Sequence, residues 1–244
     1  MKILNLGCGV KTSAHPSVIN IDWSILLRIR ANPVLRLLAS VLLNDDRLAR
    51  FRALPDNLIV HDLAKGIPFA NNSVDVVYHS HVLEHLDRDV ATLFIREIAR
   101  VLKPGGVLRI VVPDFERCCR AYLEHIEACE RAGKVEIERH DAYVEPLLLM
   151  SVRREAYGTS QQKPLRRFFE NLLLGDARRR GETHQWMYDR FNLEALLRKQ
   201  GFDRVSVQSF ETSFIPGWGD FGLDRDGKGG EYKPESLYVE AVKS

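Results

Sequence analysis

Between residues 78 and 86 the chain reads YHSHVLEHL, placing three histidines and a glutamate within seven positions, His79 to His85. Imidazole exchanges a proton near neutral pH and, in its neutral form, is the commonest metal ligand. On a helix, positions three and four apart share a face. His81, Glu84 and His85 could therefore hold a divalent ion or move a proton. The spelling H-x-x-E-H is also that of inverted zinc peptidases, but their motif lies inside a long helix. Here the strand-like run SVDVVYHS comes first and leaves room for only a brief helical turn, so the peptidase reading lacks its context.

The elements that position this stretch follow from periodicity. Five short apolar runs with little alternation, KILNLGCG, SVINIDW, NLIVHDL (57–63), SVDVVYHS and VLRIVVPD (107–114), read as strands covered on both faces. Val90, Leu93, Phe94, Ile98, Val101 and Leu102 recur at helical spacing over 89–102, and Lys103-Pro104-Gly105-Gly106 reads as the stop. Residues 24–54 read as two inserted helices broken near Asn32-Pro33. FNLEALLRKQGF reads as a helix with Asn192 at its N-cap, followed by two strands, DRVSVQSF and SLYVEAVK, joined by a glycine-rich loop. Alternating strands and helices predict a doubly wound α/β fold, a single domain over 1–244. Residues 115–186, charged and without strand signals, read as a helical lid-like insertion beyond the carboxyl ends of the strands, where such sheets bind ligands.

The chain has 244 residues, 45% hydrophobic and 28% charged, which is ordinary for a soluble globular protein. A formal charge of +2 argues against DNA and disfavours RNA as a partner. Cys8, Cys118, Cys119 and Cys129 lack zinc-knuckle or secreted-scaffold spacing, so reduced thiols are expected. The first residues leave apolar character too early for a signal peptide, and the run from Leu37 to Asn44 is too short to span a membrane. A cytoplasmic location is the expectation.

Gly7-Cys8-Gly9 follows the first strand. Thr12 stands where a dinucleotide fingerprint needs its third glycine, and Gly227-Lys228-Gly229-Gly230 lacks the strand-to-helix setting of a phosphate loop. Asp22 ends the second strand, where a carboxylate can accept ribose hydroxyls. Asp62 ends the third and could accept from an exocyclic amine. Either aspartate alone is commonly a turn or helix cap. At successive strand tips beside a bare glycine turn, the three features describe a nucleoside pocket.

The segments LNLGCG, INIDW, HDLAKGIPFANNSVDVVYHSHVLEHL and IARVLKPGGVLRIVVPD resemble class I S-adenosylmethionine-dependent methyltransferases over residues 2–114, and the resemblance resumes at RFNLEALLRKQGF. It implies a mostly parallel seven-stranded sheet with an antiparallel last strand. It also implies S-adenosylmethionine as cofactor, with Gly7, Cys8 and Gly9 at the methionine part, Asp22 at the ribose, Asp62 and Leu63 at the adenine, Trp23 also binding the cofactor, and His79 and Ser80 nearby. Lys11 departs from the usual small third residue of the loop, and the first crossover is very short.

An accepting hydroxyl must lose its proton, and His81 and His184 are the candidate bases, with His79 third. The segment also resembles the metal-binding E-x-x-E-H stretch of small-RNA 2′-O-methylating enzymes and a ubiquinone-pathway O-methyltransferase, with His81 in place of the first glutamate. A divalent ion on His81, Glu84, His85 and His184 is thus the alternative to a metal-free site. The H-x-W-x-Y segment, His184, Trp186 and Tyr188, is similar to that of methyltransferases associated with bacterial surface polysaccharides. This favours a small-molecule or saccharide hydroxyl as acceptor, with RNA as the competing acceptor and a non-catalytic cofactor-binding scaffold as the contrasting class. Arg28, Arg30 and Arg36, interleaved with Ile25, Leu26, Ile29, Leu35, Leu38 and Leu42, suit peripheral membrane contact, a lid or a homodimer contact. Arg178, Arg179 and Arg180 suit an anionic acceptor or plain solvation.

Overall fold

The computed structural model describes residues 1–132, 134–151 and 183–244. Seven strands form one sheet: β1 (Ile3–Leu6), β2 (Val18–Asp22), β3 (Leu58–Val60), β4 (Val74–Ser80), β5 (Leu102–Pro113), β6 (Phe202–Gln208) and β7 (Ser236–Lys243). Their order is β3-β2-β1-β4-β5-β7-β6, parallel throughout except for β7, which runs antiparallel to both neighbours. Strand order reverses between β1 and β4, which lie side by side with Leu6 opposite His79. A crevice forms at such a switch point, so the sheet itself puts the glycine turn beside the histidine segment.

One face of the sheet is covered as the apolar periodicity requires. Phe94, Ile95 and Ile98 of α5 (Arg88–Val101), with Leu193 and Leu197 of α9 (Arg190–Lys199), pack on Leu4, Leu6, Val77, Leu108, Ile110 and Val112. The other face has a different cover. The β1-to-β2 connection occupies only residues 7–17, and a parallel crossover needs about a dozen residues or more to carry a helix. The chain's C-terminal loop fills that place, with Ile215, Trp218, Phe221 and Leu223 packing on Ile3, Val18, Val76, Tyr78 and Val111.

Backbone groups of the helix-free crossover need partners, and asparagines supply them. Asn20 accepts from Ser13 N and donates to Ser13 O, Asn5 donates to Lys11 O, and Asn57 donates to Ser13 O and Val18 O. The covering loop is fastened by Arg109, a fully buried guanidinium on β5. It donates to Asp224 and Glu240, each at 2.7 Å, and to the carbonyls of Thr212 and Ser209. Asp224 also accepts from Tyr78 Oη and Trp218 Nε1.

Three expected boundaries shift. Residues 24–54 form four short helices, α1 (Ile25–Ala31), α2 (Pro33–Leu37), α3 (Ala39–Leu42) and α4 (Asp45–Arg52), rather than two. The break at Asn32 stands, its side chain accepting from Val34 N and Leu35 N. Further interruptions fall at Leu38, which has non-helical dihedrals, and at Leu43 and Asn44, which are extended. The last helix is capped by Asp189, not Asn192; Asn192 is the return partner of a capping box. β5 begins at Leu102, directly after α5, so Lys103–Gly106 belongs to the strand, with Gly105 in the left-handed region. The expected insertion contains α6 (Phe115–Ala132), α7 (Lys134–Glu138) and α8 (Asp141–Met150). Its Arg178–Arg180 run lies outside the described residues.

Candidate active site

At the tip of β1 the chain turns through Gly7 and Gly9, both at positive φ. A Cβ on Gly7 would come within 2.6 Å of Val82 Cγ2, so the glycine lets the turn close against the segment after β4. Gly9 has nothing within 4 Å of that position and leaves an open cradle. The loop's amides are already engaged: Gly7 N and Cys8 N donate to Ile21 O, and Gly9 N donates to Asp22 Oδ2 at 2.7 Å. Asp22 Oδ1 accepts from Ser24 N at 2.6 Å. A carboxylate has about four lone-pair positions, so Asp22 holds the turn and keeps capacity for a diol.

Two cavities lie here, Gly7 lining one and its neighbour Val82 lining the other. One, of about 200 Å³, is lined by Gly7, Gly9, Lys11, Ser80, His81 and Tyr232. The other, about 350 Å³ and mainly apolar, is lined by Leu63, Val82, Leu86, Leu93 and Phe94. Lys11 closes the first: its ammonium lies 4.4 Å from the Tyr232 ring centroid and donates to Arg225 O. Burial lowers its pKa, partly offset by Asp224 and Asp226.

The opening motif divides at the strand end. His79, the last residue before Ser80 on β4, is fully buried, its ring 5.4 Å from that of Phe94, and neither nitrogen has a hydrogen-bond partner. Burial, only partly opposed by Glu84, pushes its pKa down to about 4. It is thus a neutral core residue and does not line the cleft. His81 adopts φ +53, an uncommon conformation for a residue with a side chain, held by its N–H to Val111 O. Its Nε2 is 3.0 Å from Ser236 Oγ and its Nδ1 is 3.2 Å from Glu84 Oε1.

Glu84 is 1% exposed, and neither of its carboxylate oxygens has a well-aligned hydrogen bond. Burial pushes its pKa up, but the contact and charge of His81, then His85, outweigh that and hold it below its ordinary value. His85 Nε2 is 3.8 Å from Glu84 Oε1. The segment after the insertion docks here, with Gln185 N donating to Glu84 O at 2.6 Å and the His184 ring edge-on to His85. His184 Nδ1 lies 3.3 Å from Met150 O, and burial lowers its pKa. Donor atoms of Glu84, His85 and His184 all lie within 4.8 Å of one another, a spacing that could hold a metal ion. Trp186 carries the Arg88 guanidinium 4.1 Å above its ring, while Tyr188 is buried and its pKa is pushed up to about 12.

The other expected residues are distributed as follows. Cys8 lines the first cavity, but its thiol packs with Leu27 and Leu54, and burial beside Asp22 raises its pKa. Trp23 is 47% exposed under the Arg28 guanidinium. Asp62 caps the turn Leu63–Lys65 by accepting from Ala64 N. Two participants were absent from the sequence reading: Ser236, which occupies His81 Nε2, and Tyr232, which walls the first cavity. Both come from the glycine-rich loop and the start of β7, whose return to the site no local pattern announces.

Residues 4–110 match the family model described as a methyltransferase domain. These residues are a class I S-adenosylmethionine-dependent methyltransferase domain. The chain is also similar to solved structures. The S-adenosylmethionine-dependent methyltransferase SibL is 13% identical with a TM-score of 0.47, covering 99% of this chain and 50% of that one. A SAM-dependent methyltransferase from Archaeoglobus fulgidus is 14% identical at 0.44, covering 99% and 86%. A Burkholderia thailandensis 1,6-didemethyltoxoflavin-N1-methyltransferase, solved with that compound and S-adenosylhomocysteine, is 13% identical at 0.44, covering 99% and 70%. At such values no acceptor carries over from them. Among curated proteins none matches this sequence.

The residues present fit the cofactor. Gly9 leaves an open cradle, Asp22 retains free lone pairs, and the apolar cavity behind Leu63 and Val82 is suited to a flat base. Among the described residues, no helix is long and apolar enough to cross a membrane.

Proposed function

We propose that this methyltransferase acts on the hydroxyl of a small acceptor, a sugar hydroxyl first among them, with His81 as general base. The observation that carries the reading is the placement of His81 in the wall of the glycine-turn cavity, between Ser236 Oγ and the buried Glu84 carboxylate. When bound, S-adenosylmethionine supplies an electrophilic methyl group on a sulfonium. The chain must then align the nucleophile and accept its proton. Ser236 marks where a hydroxyl sits against Nε2; an acceptor hydroxyl entering there meets a nitrogen lone pair. With its proton on Nδ1 facing Glu84, the imidazole keeps that tautomer, and the carboxylate stabilises the imidazolium formed.

The test pairs calorimetry with turnover over a panel of sugars, nucleosides and phenols. His81→Ala should bind S-adenosylhomocysteine as the parent does and lose about 10²–10⁴-fold in turnover. Full activity in His81→Ala would remove the base role.

A second reading is favoured by the unsatisfied oxygens of Glu84 and by the donor spacing of Glu84, His85 and His184. A divalent ion there would lower the pKa of a bound acceptor hydroxyl. Chelation separates the two readings: activity that survives it belongs to His81 alone. Exposed Val34, Leu37 and Val41, flanked by Arg36 and Arg47, further suit a peripheral contact with an anionic membrane, and hence a lipid-linked saccharide.

A further inference from the structure

A second cluster of metal-binding side chains lies in the insertion, away from the glycine turn. His125 and Cys129 are one turn apart on α6 and share a face. His140 ends the turn between α7 and α8 and reaches the same point. His125 Nδ1 is 3.2 Å from His140 Nδ1 and 3.4 Å from Cys129 Sγ, and the three donor atoms lie within 4.8 Å of one another.

We propose that His125, Cys129 and His140 bind a zinc-class transition metal ion. A tetrahedral ion with bonds of ~2.0–2.1 Å to nitrogen and ~2.3 Å to sulfur spaces its donors roughly 3.3–3.6 Å apart. The two contacts, 3.2 and 3.4 Å, are close to that spacing. Hydrogen bonding alone satisfies the cluster poorly, because Nδ1 of an imidazole offers either one hydrogen or one lone pair and here faces two heteroatoms at once. One ion satisfies all three donors.

The surroundings suit a ligand imidazole. His125 is 4% exposed and stacked on Tyr143 with ring centroids 3.8 Å apart. Its far nitrogen, Nε2, is buried without a hydrogen bond and lies at ion-pair distance, 3.4 Å, from Glu136 Oε2, the carboxylate its proton would face when the ring ligates. A ligating histidine usually turns its other N–H to a carboxylate, which fixes the tautomer and strengthens the ligand. Two imidazoles and a thiolate exclude magnesium and calcium as the preferred ion and suit zinc. On binding, the Cys129 thiol gives its proton to solvent and the sulfur lone pair bonds the metal; nothing is oxidised or reduced.

Three protein ligands leave a fourth position for water. The ion would tie α6 to the start of α8. That helix, ~15 Å long at 1.5 Å per residue, ends at Met150, whose carbonyl contacts His184. The site therefore braces the helix that carries one wall of the acceptor side.

Cobalt reports the thiolate directly. Titrating the reduced, metal-free full chain with Co(II) should produce a sulfur-to-cobalt charge-transfer band with tetrahedral d–d bands, saturating at one equivalent and bleached by Zn(II). Cys129→Ser should lose the charge-transfer band, and His140→Ala should weaken binding at least about tenfold, the loss of one ligand's contribution. Glu84→Gln, in a cluster without a thiol, should leave the band unchanged. No band in the parent chain, or an intact band in Cys129→Ser, overturns the proposal. X-ray absorption of the zinc-loaded parent provides a test independent of variant folding: sulfur with imidazole in the first shell supports the site, and a shell without sulfur overturns it.

Discussion

Gly7 and Gly9 answer to different constraints although one residue separates them. Both are at positive φ, so a side chain costs about 1–2 kcal/mol at either. Only at Gly7 does the new Cβ also strike Val82. Gly9→Ala should therefore lose roughly 1–2 kcal/mol in denaturant titration. Gly7→Ala should lose more and weaken S-adenosylhomocysteine binding, with Val82→Ala restoring part of the loss. Equal losses, or no rescue, would show that the closeness of Val82 does not matter. The glycine turn and the acids Asp22 and Asp62 were legible because strand tips are marked locally, by an apolar run and the residue that stops it. His79 was misplaced for a physical reason. Two-residue alternation would put it on the same face as His81, but β4 ends at Ser80 and His81 turns into the left-handed region. One imidazole goes into the core and the other into the cleft.

At the scale of elements, the alternation of strands and helices followed from periodicity and the antiparallel last strand from the family resemblance, whereas the cover of the sheet's second face followed from neither. That cover depends on Arg109, which meets partners 115 and 131 residues away in sequence, Asp224 and Glu240. A lone arginine in VLRIVV was the only local sign of it. Removing Asp224 leaves Arg109 paired with Glu240 but one edge of the guanidinium without its acceptor, and a buried donor left unsatisfied typically costs about 1–3 kcal/mol. Asp224→Ala should therefore lose stability of that order, since Tyr78 and Trp218 lose their acceptor as well. Loss of less than about 1 kcal/mol would mean that apolar packing alone holds the loop. The helices α1–α3 raise the opposite question, since they expose what others bury: Leu37 is 83% and Val41 82% exposed. If they contact membrane, the protein should co-sediment with anionic vesicles and not with zwitterionic ones. Leu37→Glu with Val41→Glu should abolish that binding and spare S-adenosylhomocysteine binding. No binding to either would leave the exposed face to a second copy of the chain, which sedimentation velocity would reveal, and equal binding to both would remove the anionic preference.

For the molecule as a whole, the buried titratable groups predict a stability dome in pH with a defined acid limb. His79 has an ordinary pKa of 6.5 and a folded value of about 4. Between these values the unfolded chain binds a proton that the folded chain refuses, so stability rises with pH there. The contribution is complete above about 6.5 and is lost as pH falls through about 4, amounting to roughly 3 kcal/mol for a fully buried group. Glu84, held below its ordinary carboxylate value, acts in the same direction at lower pH: its contribution is lost as pH falls through the folded value. On the alkaline side Cys8 and Tyr78 are both raised by burial. There the unfolded chain releases protons that the folded chain keeps, and stability falls as pH rises above 9.0, the ordinary value for the thiol. Denaturant midpoints measured from pH 4 to 10 should therefore peak between about 7 and 9. His79→Leu should flatten the limb between 6.5 and 4 and leave the alkaline limb unchanged. An unchanged acid limb in that variant would show that His79 keeps its proton on folding, and that the imidazole beneath the cleft is charged.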